Sequence, residues 1–109
     1  MLMDKPSKYR VLLSKDALDD IKVTKKYILT TFQYREYAEN FSRKIKKAIN
    51  ELSVFPTGYV IEGLEIYLKP YSTYLIFFVI ENNIVTVIRV LKDRMYWQSI
   101  IKKMQKINR

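Results

Sequence analysis

The chain has 109 residues, with 20 Lys and Arg against 11 Asp and Glu, giving a net charge of +9. It contains no Cys and no His, which excludes disulfides, thiol catalysis, thiolate or imidazole metal sites and every His-dependent triad. The length fits one domain over residues 1–109, and the charge favours a polyanionic partner: nucleic acid, a ribosome or an acidic protein.

Residues 1–7 read as a frayed lead-in without the apolar region of a signal peptide. Tyr9, Val11 and Leu13 alternate with Arg10, Leu12 and Ser14, predicting a first strand over residues 8–13. Ser14 stands where a helix N-cap belongs, and Asp16 falls in the first turn to meet the helix dipole. Ala17, Ile21, Thr24 and Ile28 share one face of this helix, flanked by Leu18, while Asp19, Asp20, Lys22, Lys25 and Lys26 are assigned to the other. Thr30 and Thr31, poor helix residues, are expected to mark a short connection. The second helix has the clearest pattern in the chain, with Ala38, Phe41, Ile45, Ala48, Ile49 and Leu52 on one face. It starts within residues 31–35 and stops at Phe55-Pro56, and Gly58 opens the next loop. So short a connection predicts an antiparallel helical hairpin on one sheet face.

Leu64, Ile66 and Leu68 then alternate with Glu65, Tyr67 and Lys69, predicting a strand with one wet face that Pro70 ends. Residues 74–80 are apolar on both faces and predict a central strand covered on both sides. Asn82-Asn83 suits a two-residue hairpin turn, because Asn tolerates the left-handed backbone. Residues 84–90 form the return strand. Asp93 is then read as the N-cap of a last helix whose apolar side is Trp97, Ile100, Ile101 and Met104. The expected class is α+β, in the order β-α-α-β-β-β-α. A small, mainly antiparallel meander carries the helical hairpin on one face, and a helix closes the chain. The first strand belongs beside the last strand or at the opposite edge. No apolar run approaches the ~20 residues of a membrane span, so an intracellular, cytoplasmic protein is expected.

Residues 89–109 concentrate the charge, with Arg89, Lys92, Arg94, Lys102, Lys103, Lys106 and Arg109 against Asp93 alone. Two glycines cannot build a phosphate-cradling loop, and no two carboxylates stand at a convincing acid–base spacing. Asp19-Asp20 reads as a helix-surface pair. A site of Arg, Lys and Tyr without metal can still serve RNA, which carries its own nucleophile in the 2′-OH. Cations stabilise the charge on the phosphate, and a Tyr or Lys moves a proton. The candidates are Lys69, Tyr71, Arg89, Lys92, Arg94 and Tyr96, which lie on or just after the meander and could share one concave surface. Lys69, Lys92, Arg94 and Tyr96 would carry catalysis. Tyr71, Arg89, Lys102, Lys103 and Lys106 would bind nucleic acid or another target. No cofactor is expected.

The chain resembles the RelE/ParE superfamily of toxins from bacterial type II toxin–antitoxin systems. It opens with Y-R-V-L-L-S-K-D-A-L-D-D-I from Tyr9 and continues with A-E-N-F-x-x-K-I-x-x-A-I-x-x-L-x-x-F-P over Ala38 to Pro56. It closes with Y-L-I-F-F-V-I and V-T-V-I-R-V-L-K-D-R-M-Y-W over Tyr74 to Trp97. The resemblance implies a growth-inhibiting toxin of a plasmid-stabilisation module, held inactive by a cognate antitoxin. It would be monomeric or part of a hetero-oligomer with that antitoxin. RelE-like members of the superfamily cleave mRNA in the ribosomal A site, whereas ParE-like members poison DNA gyrase without that nuclease chemistry. Where the nuclease branch commonly has an Arg after the Tyr opening the central strand, this chain has Leu75 after Tyr74. The family's frequent Arg-Arg-Asp-Trp reads Arg94-Met95-Tyr96-Trp97 here. Three functions follow: a ribosome-dependent mRNA endonuclease, a gyrase-directed toxin acting by protein contact, or a non-toxic basic RNA- or DNA-binding domain.

Overall fold

The computed structural model describes residues 9–107, with side-chain surroundings given for residues 9–104. The expected lead-in lies outside this range. In chain order the elements are β1 (Arg10–Leu13), α1 (Lys15–Phe32), α2 (Arg35–Val54), β2 (Tyr59–Val60), β3 (Tyr67–Tyr71), β4 (Tyr74–Glu81), β5 (Ile84–Lys92) and α3 (Trp97–Ile107). The strands form one five-stranded sheet in the order β1-β5-β4-β3-β2. β1 lies beside the last strand and runs parallel to it, while β2 to β5 pair antiparallel. Among the described residues, no helix is long and apolar enough to cross a membrane.

β4 is the central strand expected from its sequence, and both its faces are covered. Tyr74, Ile76 and Phe78 join the core under the helical hairpin, with Ala17, Ile28, Phe41, Ile45 and Leu52. Leu75 and Phe77 face the other way, into a second core closed by α3 through Ile101, Ile100 and Trp97. The sheet is therefore a layer between α1–α2 and α3, each helix burying its one apolar side. Asn82 and Asn83 both take positive φ, at 50° and 65°, as the two-residue hairpin requires. A bulge interrupts the pairing where Phe77 stands opposite Arg89 and Phe78 opposite Val87, leaving Ile88 as the extra residue. This shifts the alternation along β5. Val85, Val87 and Val90 all face the helical hairpin, while Ile88 and Leu91 face α3.

Four expectations need correction. Thr30 and Thr31 do not break α1, which runs to Phe32 with Gln33 as its left-handed C-cap. The Thr30 hydroxyl donates to the carbonyls of Lys26 and Tyr27, so the residue satisfies itself inside the helix. Leu64 and Ile66 do not begin a strand. Residues 61–66 form a turn closed by Ile61 N–H to the Ile66 carbonyl at 2.9 Å, with Gly63 at φ 81°. Their alternation serves burial against α3 instead. Pro70 does not end β3, since it pairs with Leu75 inside the strand. The outer neighbour β2 reaches only Tyr67 and Leu68, so the missing N–H breaks no bond on that side. Asp93 does not cap α3. Its N–H donates to the Thr73 carbonyl at 3.0 Å, which ties the chain to the turn after β3 at this residue, and α3 begins only at Trp97.

β2, which the sequence reading missed, is held by the close approach of Gly58. A Cβ there would meet the Leu68 carbonyl oxygen at 2.8 Å, so only glycine fits without a shift.

Candidate functional site

β5 outruns its neighbour β1, whose pairing ends at Leu13 opposite Val87. The backbone groups beyond that point need other partners, and α1 supplies them. Ser14 donates its N–H to the Val87 carbonyl at 2.9 Å and its hydroxyl to the Ile88 carbonyl at 3.1 Å. The same hydroxyl accepts the Ala17 N–H, which is the expected N-cap bond. Two turns on, the Asp20 carboxylate accepts the Val90 N–H at 2.9 Å. It also accepts two bonds from Arg89, at 2.7 Å from Nε and 2.8 Å from Nη2. The hydrogen bond to Asp20 is the largest of the effects that raise the Arg89 pKa, and the charges of Asp20 and Asp16 add to it against desolvation. Asp20 is therefore not part of a solvated surface pair with Asp19. It lies three residues past the buried Ala17 and four before the half-buried Thr24, on the edge of the stripe that meets the sheet.

This pair places one site candidate. Arg89 lies in the middle of an α1–β5 clamp, its side chain 21% exposed. Lys69 lies on β3 facing α2, where its ammonium sits 3.2 Å from the Glu51 carboxylate. It lines a hollow of about 450 Å³ with Lys47, Asn50, Val54 and Phe55. That hollow contains a cation already paired and none of the charged residues after β5.

Four of the remaining candidates, Tyr71, Lys92, Arg94 and Tyr96, lie at or just beyond one end of the sheet. Lys92 closes β5 opposite Tyr74, which opens β4, and Tyr71 ends β3 opposite Tyr74 in turn. Strands stand about 4.8 Å apart, so this row spans roughly 10 Å. The bond from Asp93 N–H to Thr73 ties the loop after β5 to the turn between β3 and β4. Lys44 of α2 reaches that same turn, with Nζ 3.4 Å from the Ser72 hydroxyl. The Lys92 ammonium lies 5.9 Å from the centre of the Tyr27 ring on α1, a cation–π contact. Arg94, Met95 and Tyr96 follow in the open, with Tyr96 86% exposed. Among the described residues neither Lys92 nor Arg94 forms an ion pair, unlike Lys69 and Arg89.

Lys102 and Lys103 are exposed on α3, on the opposite sheet face. α3 starts with Trp97 against Phe77, 5.4 Å between ring centres, and leads to Met104 in the same core as Val79 and Ile88. These two lysines are thus carried away from Lys92 rather than brought to it. The Lys106 side chain lies outside the described residues.

The chemistry open to this sheet end is limited. Burial pushes the Tyr74 phenol above its ordinary range, only partly offset by a hydrogen bond from Thr73, so beside Lys92 it stays neutral. Two unmatched cations amid exposed apolar side chains can grip an anionic surface without further groups.

Residues 11–97 match a family model described as the ParE toxin of the type II toxin–antitoxin system parDE. The fold is similar to a chain from the chromosomal ParDE toxin–antitoxin system of P. aeruginosa, with a TM-score of 0.70 and 11% identity, covering 78% of this chain and 96% of that one. It is also similar to a chain of the RelBE2 toxin–antitoxin complex from Mycobacterium tuberculosis, with a TM-score of 0.56 and 18% identity, covering 83% of this chain and 97% of that one. At these identities the likeness establishes the fold. No curated protein matches the sequence.

Proposed function

The chain belongs to the ParE toxin family of type II toxin–antitoxin systems, and from that premise we propose that it stops growth by binding DNA gyrase rather than by cutting RNA. One observation carries the choice. Among the described residues Lys92 and Arg94 stand without a carboxylate partner at the sheet end, while Lys69 and Arg89, the other cations of the candidate nuclease site, are each held by one. A nuclease would need those charges on the phosphate and a fixed group to move the proton. A binding surface needs only the unmatched charges. Leu75, buried at the start of β4 and packed toward α3, offers no replacement cation there.

In this reading a cognate antitoxin neutralises the protein by covering part of the stretch from Lys92 to Arg109. A strongly basic surface suits an acidic segment that folds as it binds. The test is induction of the protein in growing cells, with plasmid supercoiling and protein synthesis followed together. Loss of supercoiling and broken chromosomal DNA before translation falls is the expected order. An early halt of translation with cuts in ribosome-bound mRNA points to the nuclease instead.

A further inference from the structure

We propose that a hollow beside Lys92 seats one protruding apolar side chain from an acidic face of the target protein. The inference rests on the gyrase reading above and names the part of the site that gives it grip. The hollow measures about 270 Å³ and is lined by Val23, Thr24, Tyr27, Lys92 and Met95. An outward helix face is ordinarily polar, yet Val23 is 68% exposed and Tyr27 55% exposed on α1. Met95 and Tyr96, at 45% and 86%, add apolar surface from the loop after β5. Single exposed apolar residues need no explanation, but a contiguous set around a depression marks a contact site. One cation stands on it, since Lys92 lines the hollow and lies over the Tyr27 ring, and a second, the exposed Arg94, is the chain neighbour of Met95.

Charge and lining together select the occupant. A second copy of this chain would bring Lys92 and Arg94 against their own kind on a molecule of net charge +9. A nucleic-acid strand would satisfy the cations but leave the aliphatic part, Val23 and Met95, facing phosphates. A protein face that presents an apolar anchor ringed by carboxylates satisfies both. The anchor is desolvated in the hollow while the charges pair at the rim, the arrangement of an interface hot spot.

The experiment measures binding of the full-length protein to intact gyrase, with Val23→Asp, Met95→Asp and the control Val60→Asp. Val60 is 63% exposed on β2, three strands from β5, so the control makes the same charge change on the same residue type elsewhere. Val23→Asp and Met95→Asp should each weaken binding about tenfold or more, and Val60→Asp by less than about twofold. Thermal melting of each variant checks folding, and Val23→Ala, which removes apolar contact without adding charge, should weaken binding about threefold. If wild type binds gyrase and Val23→Asp binds as Val60→Asp does, the hollow is not the seat, while the proposed function stands. If wild type does not bind gyrase, the proposed function has failed and the inference falls with it. Three further outcomes overturn the assignment. These are an equal loss of affinity for a single-stranded RNA oligomer, self-association of wild type abolished by Val23→Asp, and loss of antitoxin binding with gyrase binding intact.

Discussion

Replacing Asp20 by Ala should destabilise the protein far more than its place in a charged pair of surface appearance suggests. The carboxylate accepts three hydrogen bonds, two from Arg89 and one from the Val90 N–H. Its side chain is only 12% exposed and that of Arg89 21%. Leaving the Val90 N–H without a partner costs about 1–3 kcal/mol. The guanidinium loses its partner too, but can turn part of itself to water, which brings the whole to about 2–4 kcal/mol, below the range of a fully buried pair. In a domain of this size that corresponds to a drop in Tm of roughly 10 °C or more. Asp19→Ala makes the same change in net charge at an exposed neighbour and should stay within about 0.5 kcal/mol of wild type. Asp20→Asn keeps one acceptor oxygen and should fall between the two. Adding Arg89→Leu to Asp20→Ala should recover part of the loss, because the stranded charge is then gone. Urea unfolding of the set reads all four. An Asp20→Ala variant as stable as Asp19→Ala would show that α1 does not complete the ladder of β5 through this carboxylate.

Phe41→Ala or Ile45→Ala should each cost about 2–5 kcal/mol by opening a cavity under the helical hairpin, and urea unfolding that finds less than ~1 kcal/mol for both would misplace that helix face. Tyr74 has its phenol raised above 10.0 by burial, so the folded state holds this proton more tightly than the unfolded chain. Its contribution to stability is complete below about pH 10 and is lost as pH rises further, so unfolding at about pH 9 and about pH 11 should show a smaller alkaline loss in Tyr74→Phe than in wild type. Antitoxin binding should weaken as ionic strength rises past about 0.1 M, and protection from exchange should include part of the stretch from Lys92 to Arg109; a salt-independent complex whose footprint misses that stretch contradicts the charge-led contact.

The elements that periodicity controls were legible in the sequence. The two-sided apolar run of β4, the Asn-Asn hairpin, the Ser14 cap and the stripe from Ala38 to Leu52 all appear as read. So does the resemblance to the RelE/ParE superfamily, whose motifs span the stretch that the family model matches. Alternation misled at Leu64 and Ile66, because the same pattern that marks a strand also buries a turn against α3. Pro70 misled because the rule concerns an N–H with a neighbour waiting for it, and β2 is too short to supply one. The bond from Arg89 to Asp20 spans 69 residues of sequence and carries no local signature. Its only trace was spacing, since Asp20 falls beside Ala17 and Thr24 on the helix rather than among the lysines. Lys69 likewise reads as a free cation until α2 brings Glu51 to it.

Arg94 is the residue on which gyrase inhibition should turn. Purified gyrase should be run in a supercoiling assay with wild type and with Arg94→Ala, alongside ribosomes translating a defined mRNA. An Arg can grip an anionic partner through two parallel bonds, which Ala cannot replace. The expected result is inhibition of gyrase by wild type, loss of that inhibition in Arg94→Ala, and intact mRNA at every dose. A fully inhibitory Arg94→Ala variant, or mRNA cut on the ribosome while gyrase is unaffected, would contradict it.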